Sequence, residues 1–259
     1  MREVENAGRV PARGKRKRKR RLSKFAYILI FLTIALSAAV VCAVVFLKVD
    51  KIAVTGVTPY AAKQVVAMSG IKKGTSLFSV RQSAVEKKLC GALPYIKSAK
   101  IKFSLPTTVT IELTQDSPNF LFAIGKRYAY ADGSLKGLEI RPGPRNDKGV
   151  MTVVGAQISA FQAGAPVAFI KQSQAALIKA LAADINSAKL SGVTSMNVAD
   201  SYQLSVVYQN RYTIILGTPN GADEKLKIAG TIISQKQLPS DKGTLDVSAQ
   251  NKRYIFSPE

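Results

Sequence analysis

The stretch LPYIKSAKIKFSLPTTVTIEL, residues 93–113, holds two runs of alternating apolar residues separated by a proline. Alternation with a period of two is typical of β-strands that bury one face. Lys100 and Lys102 then face water, and residues 105–107 form the turn, where the proline pre-sets the backbone. The predicted inward sets are Ala99, Ile101 and Phe103, followed by Val109, Ile111 and Leu113. The stretch therefore predicts a β-hairpin with one apolar face.

A strand and a short helix are predicted upstream of this hairpin. Ile52 and Val54 alternate on the strand. Thr58 fits the N-cap of the helix and Pro59 its first position, where the missing N–H of proline costs nothing. Gly70 is expected to end this helix.

A second helix is predicted between the first helix and the hairpin. Ser79 and Gln82 have the spacing of a capping box ahead of it. An amphipathic pattern then runs to about Cys90, and Gly91 is expected to stop it. The predicted order is strand, helix, helix, strand, strand.

A membrane span is predicted further upstream. Residues 25–47 contain no charge, proline or glycine, and a helix needs about 20 apolar residues to cross a bilayer core of about 30 Å. The run GKRKRKRR, residues 14–21, precedes it, and a cationic flank is retained on the cytoplasmic side. The sequence predicts a cytoplasmic tail (1–24), a transmembrane helix (25–47) and an extracytoplasmic remainder. The apolar stretch is too long for a cleaved signal peptide.

The positive charge of the chain is compatible with several kinds of binding partner. No aromatic residue separates the cations of residues 15–21, so the run offers no stacking surface and nucleic acid is not predicted as a partner. An exposed charged tail and a contact with anionic lipid headgroups both remain open. Residues 48–259 are also basic, with 27 Lys and Arg against 14 Asp and Glu. Anionic lipids, wall polymers or simple solubility all account for that excess.

Composition excludes most catalytic arrangements. The chain has no histidine and no tryptophan, which removes imidazole bases, Ser-His-Asp triads and the usual zinc sites. We predict no metal site, no cofactor and no disulfide framework, since Cys42 lies in the span and Cys90 has no partner beyond it. A Ser/Lys pair is the remaining enzymatic option. Its candidates are Ser69 with Lys72 or Lys73, and Ser79 with Lys87.

Residues 118–259 predict a second, larger β-rich domain. Asp132 and Gly133 indicate a hairpin turn, and Pro166 is expected to open a helix. Residues 193–217 indicate three consecutive strands, and a further helix carries Leu226 and Ala229. TLDVS and RYIFS are the last two predicted strands.

These motifs resemble the FtsQ/DivIB family of bacterial cell division proteins. The resemblance rests on residues 52–56, 70–80 and 93–113, in this order after a single span, and it extends over the larger domain. It implies an α+β fold: a transmembrane helix, a POTRA domain (β-α-α-β-β, 48–117) and a larger mixed β domain with two packing helices (118–259). At two places the sequence differs from the residues usual in the family, which weakens any transfer of the family's side-chain contacts to this chain. Gln115 and Asp116 stand where Glu and a basic residue are usual, and Ser248 stands where Arg is frequent.

The resemblance implies a non-catalytic divisome scaffold at the septum. Its implied partners are FtsL-like and FtsB/DivIC-like proteins and, through them, the septal peptidoglycan synthase. The partner is expected to dock along the last strand, so Tyr254, Ile255 and Phe256 are the predicted contact residues. Alternation along a strand also allows Tyr254 or Phe256 to cover the sheet instead. The alternatives are a membrane-anchored wall-polymer-binding domain and a Ser/Lys-type envelope enzyme.

Overall fold

A computed structural model describes residues 24–104, 107–145, 147–236, 242–249 and 254–258, without the side chains of 43–45. The basic run 14–21 and residues 105 and 106 of the predicted turn lie outside the described residues. The chain divides into two units, residues 1–47 and residues 48–259.

The described residues of the first unit, from residue 24 onward, contain one helix. Helix α1 (Lys24–Phe46) has 23 residues, about 35 Å at 1.5 Å per residue, and is apolar enough to cross a membrane. It is the predicted span.

The second unit begins with a three-stranded sheet. Its strands have the order β1-β3-β2, with β1 parallel and β2 antiparallel to the central β3. In chain order the elements are β1 (Lys51–Thr55), α2 (Ala62–Ser69), a short 3-10 helix (Leu77–Ser79), α3 (Gln82–Ala92), β2 (Ile96–Ser104) and β3 (Thr108–Gln115). This is the predicted strand, helix, helix, strand, strand order.

The apolar pattern of the hairpin forms the core of this part. Val65 and Leu89 of the two helices are buried, together with Ala99, Ile101, Val109, Ile111 and Leu113. The prediction for Phe103 was wrong, because 46% of its surface is exposed. Phe103 lies near the end of the edge strand β2, whereas its register partner Val109 lies on the central strand and is buried.

The helix starts differ from the predicted caps. Helix α2 begins at Ala62, and Thr58 instead accepts a hydrogen bond from the Tyr60 N–H at 3.2 Å in a local turn. Helix α3 begins at Gln82 without a side-chain cap. The hydroxyl of Ser79 donates to the carbonyl oxygen of Ser76 at 2.7 Å, which closes the 3-10 turn. Short polar side chains stabilise turns as readily as helix starts, so both predicted caps were wrong.

The ends of these two helices are closer to expectation. Gly70 ends α2 in the left-handed conformation, as predicted. Helix α3 continues through Gly91 to Ala92, so Gly91 does not stop it.

The rest of the second unit is built on a nine-stranded mixed sheet. Its order is β14-β13-β12-β11-β10-β7-β4-β5-β6, and β8 with β9 forms a separate two-stranded sheet. The elements are β4 (Phe120–Ile124), β5 (Arg127–Ala131), β6 (Gly137–Arg141), β7 (Met151–Val154), β8 (Ile158–Ala160), β9 (Ala168–Phe169), α4 (Gln172–Ser187), β10 (Val193–Asn197), β11 (Leu204–Tyr208), β12 (Tyr212–Gly217), α5 (Ala222–Lys236), β13 (Gly243–Asp246) and β14 (Ile255–Pro258).

Helices α4 and α5 pack on this sheet and contact each other. Ile178 and Leu181 of α4 and Leu226 of α5 share one core cluster with strand residues such as Phe122 and Ile214. The α+β class, the span and the two packing helices are therefore as predicted.

Two local predictions in this part were wrong in detail. Pro166 does not open α4, which starts six residues later, but precedes the short strand β9. The β5–β6 hairpin exists, but its loop is longer than a two-residue turn. The Asp132 carboxylate accepts the N–H groups of Ser134 and Lys136, and the left-handed position falls on Leu135, at φ 66°.

Candidate functional site

Strand β14 lies at one edge of the nine-stranded sheet. It pairs antiparallel with β13, in register from Gly243 opposite Pro258 to Asp246 opposite Ile255. No described strand pairs with its other side. An edge strand carries unpaired N–H and C=O groups on its outer side, and these can bond to an extended segment of another chain.

The three predicted contact residues divide between the two faces of this strand. The side chain of Ile255 is 62% exposed. Tyr254 and Phe256 are partly buried and pack against the core cluster. The ring of Phe256 lies 6.3 Å from that of Tyr212, measured between centroids. Phe256 therefore covers the sheet, while Ile255 faces solvent.

Gly243 on β13 makes room for this packing. A Cβ atom there would lie 2.8 Å from Cζ of Phe256 and 2.5 Å from the carbonyl oxygen of Ser257. Carbon contacts are optimal near 3.5–4.0 Å, so a side chain would push the edge strand away. No local sequence pattern points to Gly243, because its role depends on the residues of β14 that pair with β13.

A second polar cluster joins the small sheet to the large one. Asp116 follows β3, and Lys136 belongs to the β5–β6 loop. The Lys136 ammonium lies 3.0 Å from Oδ2 of Asp116 and donates to the carbonyl oxygen of Ile96 at 2.9 Å. Only 16% of the Lys136 side chain and 8% of the Asp116 side chain are exposed. This is a buried ion pair.

Asp132 contributes a second carboxylate to the cluster and is itself buried. Loss of water raises the pKa of Asp116, and Asp132 raises it further, while Lys136 acts in the opposite direction. We place the pKa of Asp116 above its usual value, because the single ammonium also bonds to a carbonyl and two carboxylates lie close together.

Known proteins resemble both parts of this fold. Residues 47–115 match the family described as "POTRA domain, FtsQ-type". The Cell division protein DivIB of Clostridium acetobutylicum is 24% identical over 205 residues, 78% of this chain and 80% of that protein. Residues 47–115 therefore form a POTRA domain of the FtsQ type. Beyond this domain the chain is similar to the DivIB protein over most of its length.

Two FtsQ proteins match shorter stretches. The Cell division protein FtsQ of Corynebacterium glutamicum is 39% identical over 85 residues, 33% of this chain and 38% of that protein. The FtsQ of Streptomyces griseus is 30% identical over 112 residues, 38% of this chain and 54% of that protein. The matched stretches thus span less than two thirds of either FtsQ relative.

The serines considered for a Ser/Lys pair have structural roles here. The hydroxyl of Ser69 donates to the carbonyl oxygen of Val66 at 2.7 Å and accepts the N–H of Ile71 at 3.2 Å. Ser69 is also buried. Ser79 closes the 3-10 turn, and neither hydroxyl bonds to a lysine in the described residues.

The cysteines and acidic side chains of the described residues form no reactive site. Cys42 and Cys90 are free thiols. Cys90 is partly buried, and burial raises the pKa of its thiol, which makes it a poor nucleophile. The described residues contain no group of three or more Cys, Asp or Glu side chains that could hold a metal ion.

Proposed function

We propose that this protein is a non-catalytic scaffold of the division complex. It binds FtsL-like and FtsB/DivIC-like proteins outside the membrane and so helps to bring the septal peptidoglycan synthase to the septum. Its tail, residues 1–24, lies in the cytoplasm, the span covers residues 25–47, and the POTRA domain (48–117) and β domain (118–259) lie outside. Similarity to FtsQ and DivIB proteins and the cationic flank of the span support this arrangement.

The observation that carries the proposal is the open edge of β14. An FtsB/DivIC-like segment adds to the nine-stranded sheet as a tenth strand and bonds to the backbone groups of β14 that point away from β13. Backbone bonds of this kind supply affinity without selecting a sequence. Side chains on the two faces of the edge supply the selection.

Ile255 is the side chain best placed to select the partner. It is the large apolar residue of β14 that is exposed, and burying an Ile side chain contributes about 1.5–3 kcal/mol. Phe256 and Tyr254 act differently, because they hold the strand against the core. Their loss would disturb the edge itself, so Ile255 gives the cleaner test.

We predict that Ile255→Asp weakens binding of the partner at least about tenfold, which corresponds to about 1.4 kcal/mol. A charged side chain at this site would have to be buried without a counterion. The measurement is titration of the full chain, reconstituted in lipid nanodiscs, with a peptide from the extracytoplasmic part of the FtsB/DivIC-like protein of the same genome.

Ile170→Asp is the matched control. Ile170 is 64% exposed, close to the 62% of Ile255, and lies next to β9 rather than at the sheet edge. The control should bind the peptide like the unmodified chain. Equal affinity of both variants would place the interface elsewhere, and failure of the unmodified chain to bind would contradict the scaffold proposal.

A further inference from the structure

One end of the small sheet is joined to the span by a short tether, and we call it the tether end. Helix α1 ends at Phe46, and Val49 is three residues further, within about 11 Å along an extended chain. The N–H of Val49 donates to the carbonyl oxygen of Thr75 at 2.8 Å, and the N–H of Gly74 donates to that of Val49 at 2.7 Å. The loop around Gly74 is thereby bonded to the first residues after the span.

The direction of the chain after this loop decides where the 3-10 helix lies. Lys48 and Ser76 form an antiparallel bridge. The chain after Ser76 therefore runs towards the tether end, where Lys48 lies. The 3-10 helix Leu77–Ser79 follows directly at this end of the POTRA-type fold.

Two further segments end on the same side. Strand β1 leads away from the tether end, so the C-terminal end of α2, which returns to Gly74, lies at the tether end. Strand β3 is parallel to β1, with Thr108 opposite Lys51, and the N–H of Asp50 donates to the carbonyl oxygen of Thr107 at 2.8 Å. The last residues of β2 lie there as well, since Ser104 pairs with Thr108.

Exposed apolar side chains concentrate at this end. Four large apolar residues of the small sheet region are exposed: Val57, Met68, Phe78 and Phe103. Phe78 is 66% exposed in the 3-10 helix, although the neighbouring Leu77 is buried. Met68 lies near the end of α2, and Phe103 near the end of β2. Val57 lies just beyond β1, at the opposite end.

Cations surround these apolar residues. Lys48, Lys51, Lys72 and Lys73 are exposed and belong to the same segments, with Asp50 as the acidic residue among them. Aromatic and aliphatic side chains next to lysines are the combination that binds the interface of an anionic bilayer. A water-facing role alone would not require an exposed Phe at the tip of a structured turn.

We propose that this end of the POTRA-type fold is a membrane-contact surface. Phe78, with Met68 and Phe103 at the same end of the small sheet, enters the interfacial region of the bilayer, and Lys72 and Lys73 bind the phosphates of anionic lipids. This contact is independent of the β14 edge and of any protein partner.

The absence of tryptophan from the chain permits a direct test. Phe78→Trp introduces the sole tryptophan, and Val57→Trp is the matched control at the other end of the same fold. Each full-length variant is reconstituted in vesicles of phosphatidylcholine and phosphatidylglycerol whose acyl chains carry bromine at a defined depth. Bromine quenches only tryptophan that reaches the acyl region. We expect the Phe78→Trp variant to lose most of its emission and to shift to shorter wavelength, and the Val57→Trp variant to keep its emission.

The lysine contribution is tested in the same vesicles. Adding Lys72→Glu and Lys73→Glu to the Phe78→Trp variant should restore most of the emission, as should replacing phosphatidylglycerol by phosphatidylcholine. Quenching that survives both changes would show that the short tether alone holds Phe78 at the bilayer, and would overturn the lipid-binding role of the lysines. Equal, weak quenching of the two tryptophan variants would overturn the whole proposal.

Discussion

Lys136 is the residue on which the junction between the two sheets depends most. Its ammonium contacts the Asp116 carboxylate and the carbonyl oxygen of Ile96, and all of these groups are shielded from water. A buried ion pair adds little stability compared with an apolar pair, but removal of one partner leaves the other charge buried and unpaired. The second carboxylate, Asp132, increases that cost.

We predict that Lys136→Met destabilises residues 48–259 by roughly 3 kcal/mol or more, which lowers the midpoint of thermal unfolding by about 6–12 °C. The measurement is circular dichroism of the full chain in detergent, with Lys100→Met as the control, because Lys100 is exposed on β2. A deficit no larger than that of the control would contradict the role assigned to the pair.

The same variant should show a pH dependence of known sign. The pKa of Asp116 is raised in the folded protein. The contribution of this group to stability is therefore complete below the pKa of the unfolded chain, about 3.9. It is lost as the pH rises through the native pKa. Without Lys136 the native pKa rises further. The deficit of Lys136→Met should therefore be smaller at pH 5 than at pH 8, and Asp116→Asn should reduce it at pH 8.

Residue-level roles were only partly predictable. Ile255 could be placed on the last strand from alternation, but the sequence left open which of Tyr254 and Phe256 covers the sheet. The structure packs both against the core. Asp116 and Lys136 are 20 positions apart without a periodic relation, so nothing local indicated that they pair.

At the scale of elements, β14 forms backbone hydrogen bonds with one described strand, β13. Its pairing with β13 and the packing of Phe256 on Tyr212 compensate for the missing strand on its outer side. The close approach of Phe256 to Gly243 means that β13 controls the position of the edge.

We predict that Gly243→Ala loosens β14 and weakens partner binding, because the added methyl group overlaps the Phe256 ring and the Ser257 carbonyl oxygen. Overpacking of this kind costs about 1–3 kcal/mol. Faster hydrogen exchange of residues 254–257 is the expected signal. Gly143→Ala is the control, since no atom lies within 4 Å of a Cβ atom there and its φ is not positive. Equal exchange in the two variants would contradict the dependence of the edge on Gly243.

Element identity was more predictable than element limits. The period of apolar residues identified the hairpin of β2 and β3 and the core-facing sides of α3 and α5. The predicted starts of α2, α3 and α4 were wrong, because residues with capping or helix-opening preferences, Thr58, Ser79 and Pro166, lie instead in a turn, a 3-10 helix and a loop. Tertiary packing decided where these helices begin, and none of the three has a side-chain cap.

At the scale of the whole molecule, strand order was the least predictable feature. Strand β7 lies between β4 and β10 and is parallel to both, so it joins two halves of the large sheet that are far apart in sequence. No local pattern specifies such a pairing. The edge position of β14 was nevertheless expected, because RYIFS is the last strand of the sequence.

The anchor and the two proposed surfaces have separate tasks. The span retains the protein in the membrane, the end of the small sheet near Phe78 contacts lipid, and the β14 edge binds a partner strand. Loss of lipid contact should leave peptide binding intact, since no residue is shared between the two surfaces.

The central claim, that β14 accepts a partner strand, is tested most directly by hydrogen–deuterium exchange of the full chain in nanodiscs. We predict that the FtsB/DivIC-like peptide slows exchange of those backbone amides of residues 254–257 that do not already bond to β13, because an added strand bonds alternate residues of its neighbour. Slower exchange at another surface, with residues 254–257 unchanged in a peptide-saturated sample, would contradict the account.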